Sequence, residues 1–350
     1  MTEPSTMLDA MKPDGEAAGP MTRRRFIRIS GAAAGLAALG ADFARPGRAS
    51  PRFHEWRGVA LGADASLRIY HPDAAEAERM IADALSEVRR LERVFSLYDE
   101  DSALSRLNRK GELTDPPQEL VELLAASMRY AGATGGAFDP TVQPLWALYA
   151  RHFGTKDADP NGPPPAAIGI ARAKCGYQRV SFDAGKVAFA QSGMALTLNG
   201  IAQGYITDRV AELLRARGVT HTLVDMGETR ALDAHPAGRP WSVGIKDPRA
   251  EDRLLATLAL DNQAVATSGG YGTDFDAAGR FNHIFDPATG LCANRYLSVS
   301  VVAPTATCAD ALSTAFSVMP VERAASALKE LGATRACFVL MDGSMIEHSV

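Results

Sequence analysis

Apolar residues recur at helical spacing from Ala74 onward, at Ala77, Ile81, Leu85, Val88, Leu91 and Phe95, and predict a long amphipathic helix. A second helix is predicted over 117–132, with Pro117 in the first turn, where a missing N–H costs nothing. Val59 to Tyr70 alternates loosely and reads as one strand. Arg179–Phe182 and Lys186–Phe189 flank Asp183-Ala184-Gly185, a hairpin signal, and Leu196–Leu198 reads as a further strand before a helix running to about Arg217. Strands are expected at Thr222–Asp225, Trp241–Ile245, Leu254–Leu260, Ala264–Thr267, Ser298–Ala303 and Arg335–Leu340, with Asp342-Gly343 closing a final hairpin. Runs of strands interrupted by helices predict an α+β fold, with mixed or antiparallel sheets and flanking helices. The proline-rich stretch 154–165 reads as an exposed loop.

Composition adds bounds. The 350 residues are 46% hydrophobic and 22% charged with a formal net charge of -4, which suits a globular chain and gives no basic face for nucleic acid. Four scattered cysteines (Cys175, Cys292, Cys308, Cys337) lack zinc or redox spacing, and leave room for one or two disulfides in an exported protein. At the N-terminus, Arg23-Arg24-Arg25-Phe26 precedes an Ala/Gly-rich apolar run and small residues near Ala49. This reads as a cleavable twin-arginine-type signal over residues 1–49, hence a periplasmic address, with a mature domain from 50 to 350.

Candidate chemistry begins at Asp310 and Thr314, four residues apart in a helical segment, so that a carboxylate and a hydroxyl share one face. Two oxygens suit a hard cation. The plain alternative is a helix residue favoured by the macrodipole beside a threonine bonded back to a carbonyl. His283 before Ile284 is either a core histidine or an acid-base group, and Asp286-Pro287-Ala288-Thr289-Gly290 is a turn signal. Four glycine-bearing turns, at Gly135-Gly136, Gly200 to Gly204, Gly227 and Gly269-Gly270, read as following strands and allow backbone N–H groups to approach a ligand.

Taken in order, these pieces resemble the ApbE family of FAD:protein FMN transferases from about Gly58 to the C-terminus. The resemblance is carried by Phe95-Ser96-Leu97-Tyr98 with Ser102 and Asn108, Gly136-Ala137-Phe138-Asp139-Pro140, and Gly200-Ile201-Ala202-Gln203-Gly204-Tyr205 with Asp208. It continues through Trp241 to Ile245 with Asp247-Pro248, Ala266-Thr267-Ser268-Gly269, His283-Ile284 with Asp286-Pro287 and Thr289-Gly290, and Ala309-Asp310-Ala311.

The resemblance implies cleavage of the FAD diphosphate with Mg2+, transfer of FMN to a threonine of an acceptor protein through a phosphoester, and release of AMP. It also implies a ligand set. Asp310, Thr314 and the Gly200 carbonyl would hold the metal. Leu61, Tyr98, Ala137, Phe138, Asp139, Thr197, Gln203 and Phe285 would contact the nucleotide, and His283 and Asp286 would handle the proton. This chain departs from the family pattern at Thr197, where an Asp is common, at Gln203, where Lys or Glu is usual, at Asn199, and at Asn282, where a second histidine is usual. The signal and the helix-loop region resemble the branch associated with nitrous oxide respiration, which implies a membrane-bound electron-transfer flavoprotein as acceptor. A non-catalytic flavin-binding protein and an Mg2+-dependent FAD pyrophosphatase are the alternatives.

Overall fold

The computed structural model describes residues 52–60 and 63–350; the expected signal segment and Leu61 lie outside the described residues. The α+β expectation holds, and every strand pair in the sheets is antiparallel. An eight-stranded sheet runs in the order β1 (Arg52–Ala60), β2 (Ala63–His71), β6 (Thr222–Asp225), β7 (Thr229–Leu232), β10 (Ala264–Ser268), β11 (Tyr296–Ala303), β12 (Arg335–Leu340), β13 (Met345–Ser349). A small sheet joins β3 (Glu112–Thr114), β5 (Lys186–Phe189) and β4 (Val180–Phe182), and β8 (Trp241–Asp247) pairs with β9 (Ala250–Leu260).

Period-two alternation gives the large sheet two apolar faces. Val224, Leu232, Ala266, Val299, Val301 and Phe338 join the main core with the helices. Their neighbours Leu223, Ala231, Val265, Val302 and Cys337 pack on Trp241, Val243, Ile245, Leu258 and Leu260 of the β8–β9 hairpin. On the helical face, α1 (Ala74–Phe95) starts at Asp73, whose carboxylate accepts the Ala75 and Glu76 N–H groups at 2.9 and 3.1 Å. It buries Ala77, Met80, Ala84, Val88, Leu91, Val94 and Phe95; of the expected stripe, Ile81 and Leu85 are only partly buried, and Met80 and Ala84 take the centre of the buried face. Then come α2 (Ala103–Lys110), α3 (Gln118–Ala133), α4 (Gln143–Phe153), α5 (Pro165–Arg172), α6 (Ala202–Ala216), α7 (Ala306–Phe316) and α8 (Val321–Glu330).

Three expectations are corrected. Val59 to Tyr70 spans the end of one strand and most of the next, because the chain folds back as a hairpin with Ala60 opposite Ala63. Leu196–Leu198 joins no sheet. The Asn108 side chain accepts the Leu196 N–H at 2.7 Å and donates to its carbonyl at 2.8 Å, and Thr197 N–H donates to the Pro140 carbonyl at 2.8 Å, so local partners replace a ladder. Gly135-Gly136 ends helix α3 rather than a strand; both glycines have positive φ (63° and 82°), which allows the sharp exit.

Candidate functional site

Helices α6 and α7 meet over Gly204. A Cβ there would lie 2.3 Å from the Ala306 carbonyl oxygen and 2.8 Å from the Asp310 Cβ, so only glycine permits this approach. Asp208, one turn later on α6, accepts the Ala306 and Thr307 N–H groups at 2.8 Å each and the Thr307 hydroxyl at 2.6 Å. A carboxylate on one helix thus caps the first turn of the next and fixes their register.

That register brings the expected oxygen donors together. Asp310 Oδ2 accepts the Gly204 N–H at 3.0 Å. The Thr314 hydroxyl lies 3.3 Å from Ser268 Oγ, and it would meet a Cβ on Gly200 at 2.8 Å. The Thr314 hydroxyl thus borders Gly200, and Asp310, one turn earlier on α7, is tied to Gly204 four residues on; oxygen donors of this kind suit a hard divalent cation. Among the described residues no three His, Cys, Asp or Glu side chains gather tightly enough to form such a site by themselves. Any cation here draws on the hydroxyl and backbone oxygens as well.

The electrostatics agree. Burial first, then the charge of Asp208, raises Asp310 well above the usual carboxylate range. Glu228, in the turn between β6 and β7, is likewise raised well above its ordinary value, by burial first and then by Asp310 and Asp225. Burial raises Asp225 itself to about 6. Burial and mutual repulsion thus make these carboxyls harder to ionise than free ones. Gln203 is buried against Gly227, and its Oε1 has no hydrogen-bond partner, a second sign of a polar region short of donors.

Beside this set opens a cleft lined by Ala137, Phe138, Asp139, Thr197, Gly200, His283, Phe285 and Thr314 of the expected residues, and by Pro140, Val142, Trp146, Asn199, Ser268 and Ile284. His283 Nδ1 lies 3.3 Å from the Thr273 carbonyl. A carbonyl only accepts, so Nδ1 carries the proton and Nε2 keeps the lone pair. Burial lowers this imidazole to about 4, so it is neutral near pH 7.

The remaining expected residues lie elsewhere. Tyr98 is 44% exposed and is not among the residues lining the cleft. Gln203 faces the β6–β7 turn. Asp286 accepts the Ala288 N–H at 2.9 Å and the Thr289 hydroxyl at 3.1 Å, closing its own turn. Asp139 lines the cleft, but both its oxygens are engaged, by Thr141 and by the Tyr177 N–H. Asn282, which departs from the paired histidine, donates to the Ala293 carbonyl and to Asn294 Oδ1 at 2.9 Å and accepts the Ile284 N–H at 3.0 Å. It serves the loop that carries His283.

Sequence reasoning passed over Glu228, Ser268 and Trp146. Glu228 and Ser268 sat in glycine-bearing turns already noted, and an acid beside a buried β turn was the available signal for Glu228.

Comparison with known proteins identifies the family. An FAD:protein FMN transferase of Treponema pallidum is 31% identical over 318 residues, covering 85% of this chain and 87% of that one. The corresponding protein of Salmonella typhimurium is 29% identical over 329 residues, covering 90% and 92%. Among solved structures, the ApbE protein of Thermotoga maritima superposes with a TM-score of 0.75 at 31% identity, covering 85% of this chain and 97% of that chain. The apo flavinyl transferase ApbE of Pseudomonas stutzeri gives 0.72 at 28%, covering 86% and 95%. Residues 61–338 match the ApbE family along their whole length, and this chain belongs to that family.

Proposed function

We propose that this chain is an FAD:protein FMN transferase, dependent on Mg2+, that links FMN to a threonine hydroxyl of an acceptor protein. The observation that supports the reading is the approach of Thr314 to Gly200 and of Asp310 to Gly204, beside a cleft that Gly200 and Thr314 line. On this reading the threonine oxygen bonds to the FMN phosphorus, the bond to the AMP phosphate breaks, and AMP leaves with the electron pair. Magnesium, when bound, supplies Lewis-acid stabilisation of the charge on the diphosphate. Asp310, Thr314 and the Gly200 carbonyl would hold it.

Neutral His283, its Nδ1–H engaged by Thr273, accepts the threonine proton at Nε2. Phe138, Ala137 and Phe285 exclude water and bound the nucleotide, and Thr197 lines the same wall. Asp286 and Asp139 act through the loops they brace. Tyr98, Gln203 and Leu61 remain part of the proposed nucleotide contacts by family position alone. Export by the twin-arginine-type signal and a membrane-bound electron-transfer flavoprotein of nitrous oxide respiration as acceptor complete the proposal; both rest on the sequence.

The test is incubation of the mature chain with FAD, Mg2+ and a threonine-bearing acceptor. AMP together with acceptor-bound FMN supports the reading. AMP with free FMN identifies a pyrophosphatase, and neither product identifies a binding protein.

A further inference from the structure

The cleft has two chemically different ends. Asn199, Gly200, Ser268 and Thr314 gather at the oxygen-donor end, tied by the Thr314–Ser268 contact and the approach of Thr314 to Gly200. Val142, Trp146 and Phe285 belong instead to a separate apolar cluster built on α4 and α5. Among the described residues lining the cleft there is no Lys or Arg, and the titratable side chains are Asp139 and His283. Cationic side chains of the wall therefore do not grip a ligand there, and recognition away from the oxygen donors falls to shape and ring faces.

Trp146 is the largest ring on that wall, and it is rigidly mounted. Its neighbours Leu145 and Tyr149 on α4 are fully buried, and Tyr149 packs on Phe275, Phe281 and Phe285 with ring centroids 6.0, 6.0 and 5.1 Å away. The indole itself meets Phe275 edge-on at 6.0 Å and 64°, while remaining partly open where it lines the cleft. An indole braced against Phe275 and bordering the cleft needs little further ordering to pack on a flat ring. Tyr98, expected among the nucleotide contacts, is not on this wall.

We propose that Trp146 is the ring-stacking residue of the cleft, holding one planar heteroaromatic ring of the dinucleotide while the oxygen-donor end holds its diphosphate. This rests on the reading of FAD as substrate. Isoalloxazine and adenine share the chemistry that an indole face recognises, and the test separates them.

Binding of FAD, FMN and AMP to the full mature chain is measured by calorimetry with Mg2+ present, for wild type, Trp146→Phe and Trp146→Leu. The Leu variant is expected to bind FAD about tenfold more weakly, the loss of one stacking contact. The Phe variant keeps most of the affinity, melting temperatures stay together, and in turnover KM rises more than kcat falls. The half-molecule whose affinity drops in the Leu variant, FMN or AMP, is the one carrying the stacked ring. Wild-type affinity for FAD in the Leu variant, or an equal loss in Phe and Leu, overturns the assignment while leaving the substrate reading intact. No uptake of FAD by the wild-type chain overturns both.

Discussion

Gly204→Ala sets two effects of opposite sign against each other. In a free helix the change stabilises by about 1 kcal/mol, because alanine loses less backbone entropy. Here the new methyl would stand 2.3 Å from the Ala306 carbonyl oxygen and 2.6 Å from its carbon, whereas ordinary contact begins near 3.4 Å. Helices α6 and α7 must part by roughly 1 Å, and both obstacles are backbone, which cannot swing aside. Overpacking of this kind costs about 1–3 kcal/mol. Separation also stretches the bond from Gly204 N–H to Asp310 Oδ2 and the Asp208 cap, and a hydrogen bond to a charged group is worth about 1.5–3 kcal/mol. The expected net loss is about 2–4 kcal/mol by these estimates, with Mg2+-dependent FAD binding weakened beyond what stability explains. Urea unfolding and flavin titration measure the two. Gly132→Ala, in helix α3 with nothing within 4 Å of the new methyl, is the control and should be neutral or stabilising by about 0.4–1 kcal/mol. A Gly204→Ala protein with wild-type stability and wild-type metal response would show that the helix contact does not set the site.

The other expectations concern charge, proton transfer and loop support. Asp310→Asn removes a carboxyl that burial disfavours as an anion, so the metal-free protein should melt at or above the wild-type temperature, yet lose the rise that Mg2+ gives wild type in calorimetry. His283→Ala should bind FAD nearly as wild type but transfer FMN about 10²–10⁴-fold more slowly in single-turnover assays. Because the folded His283 titrates near 4 and an unfolded histidine near 6.5, the unfolded chain binds the extra proton between those values. Stability from this group is therefore complete above about pH 6.5 and lost as pH falls towards 4, and His283→Gln should flatten that part of the melting profile. Asn108→Ala strips both backbone partners from Leu196 and should cost about 1–3 kcal/mol in denaturant unfolding, with weaker FAD binding through the loosened Thr197 segment.

Legibility followed periodicity. Helices α1 and α3 were readable because each buries one clean stripe, and β6, β10, β11 and β12 because short apolar runs stand between turns. Strand β1 was hidden, since Phe53 is half exposed and its run is crowded with charge. Helix α4 was missed because only Leu145 and Tyr149 of its apolar residues are buried, while Trp146 serves the cleft, so no stripe emerges. Asp310 and Thr314 were visible from spacing alone. Gly200 and His283 needed the family resemblance, because their partners Thr314 and Thr273 are 114 and 10 residues away and the pairing is set by tertiary packing. Glu228 had only its place beside the Gly227 turn as a signal, because the acids that give it meaning are brought beside it by the sheet and α7.

The account turns on whether the oxygen donors of α7 and the Gly200 turn bind the cation that makes FAD cleavage possible. AMP release should be followed against Mg2+ concentration for wild type and Asp310→Asn, with folding checked by circular dichroism and with a chelator control. The account predicts saturable Mg2+ dependence in wild type, abolished by the chelator, and no release from the folded variant at any concentration. Release from wild type that ignores the chelator, or from Asp310→Asn at the wild-type rate, would contradict it.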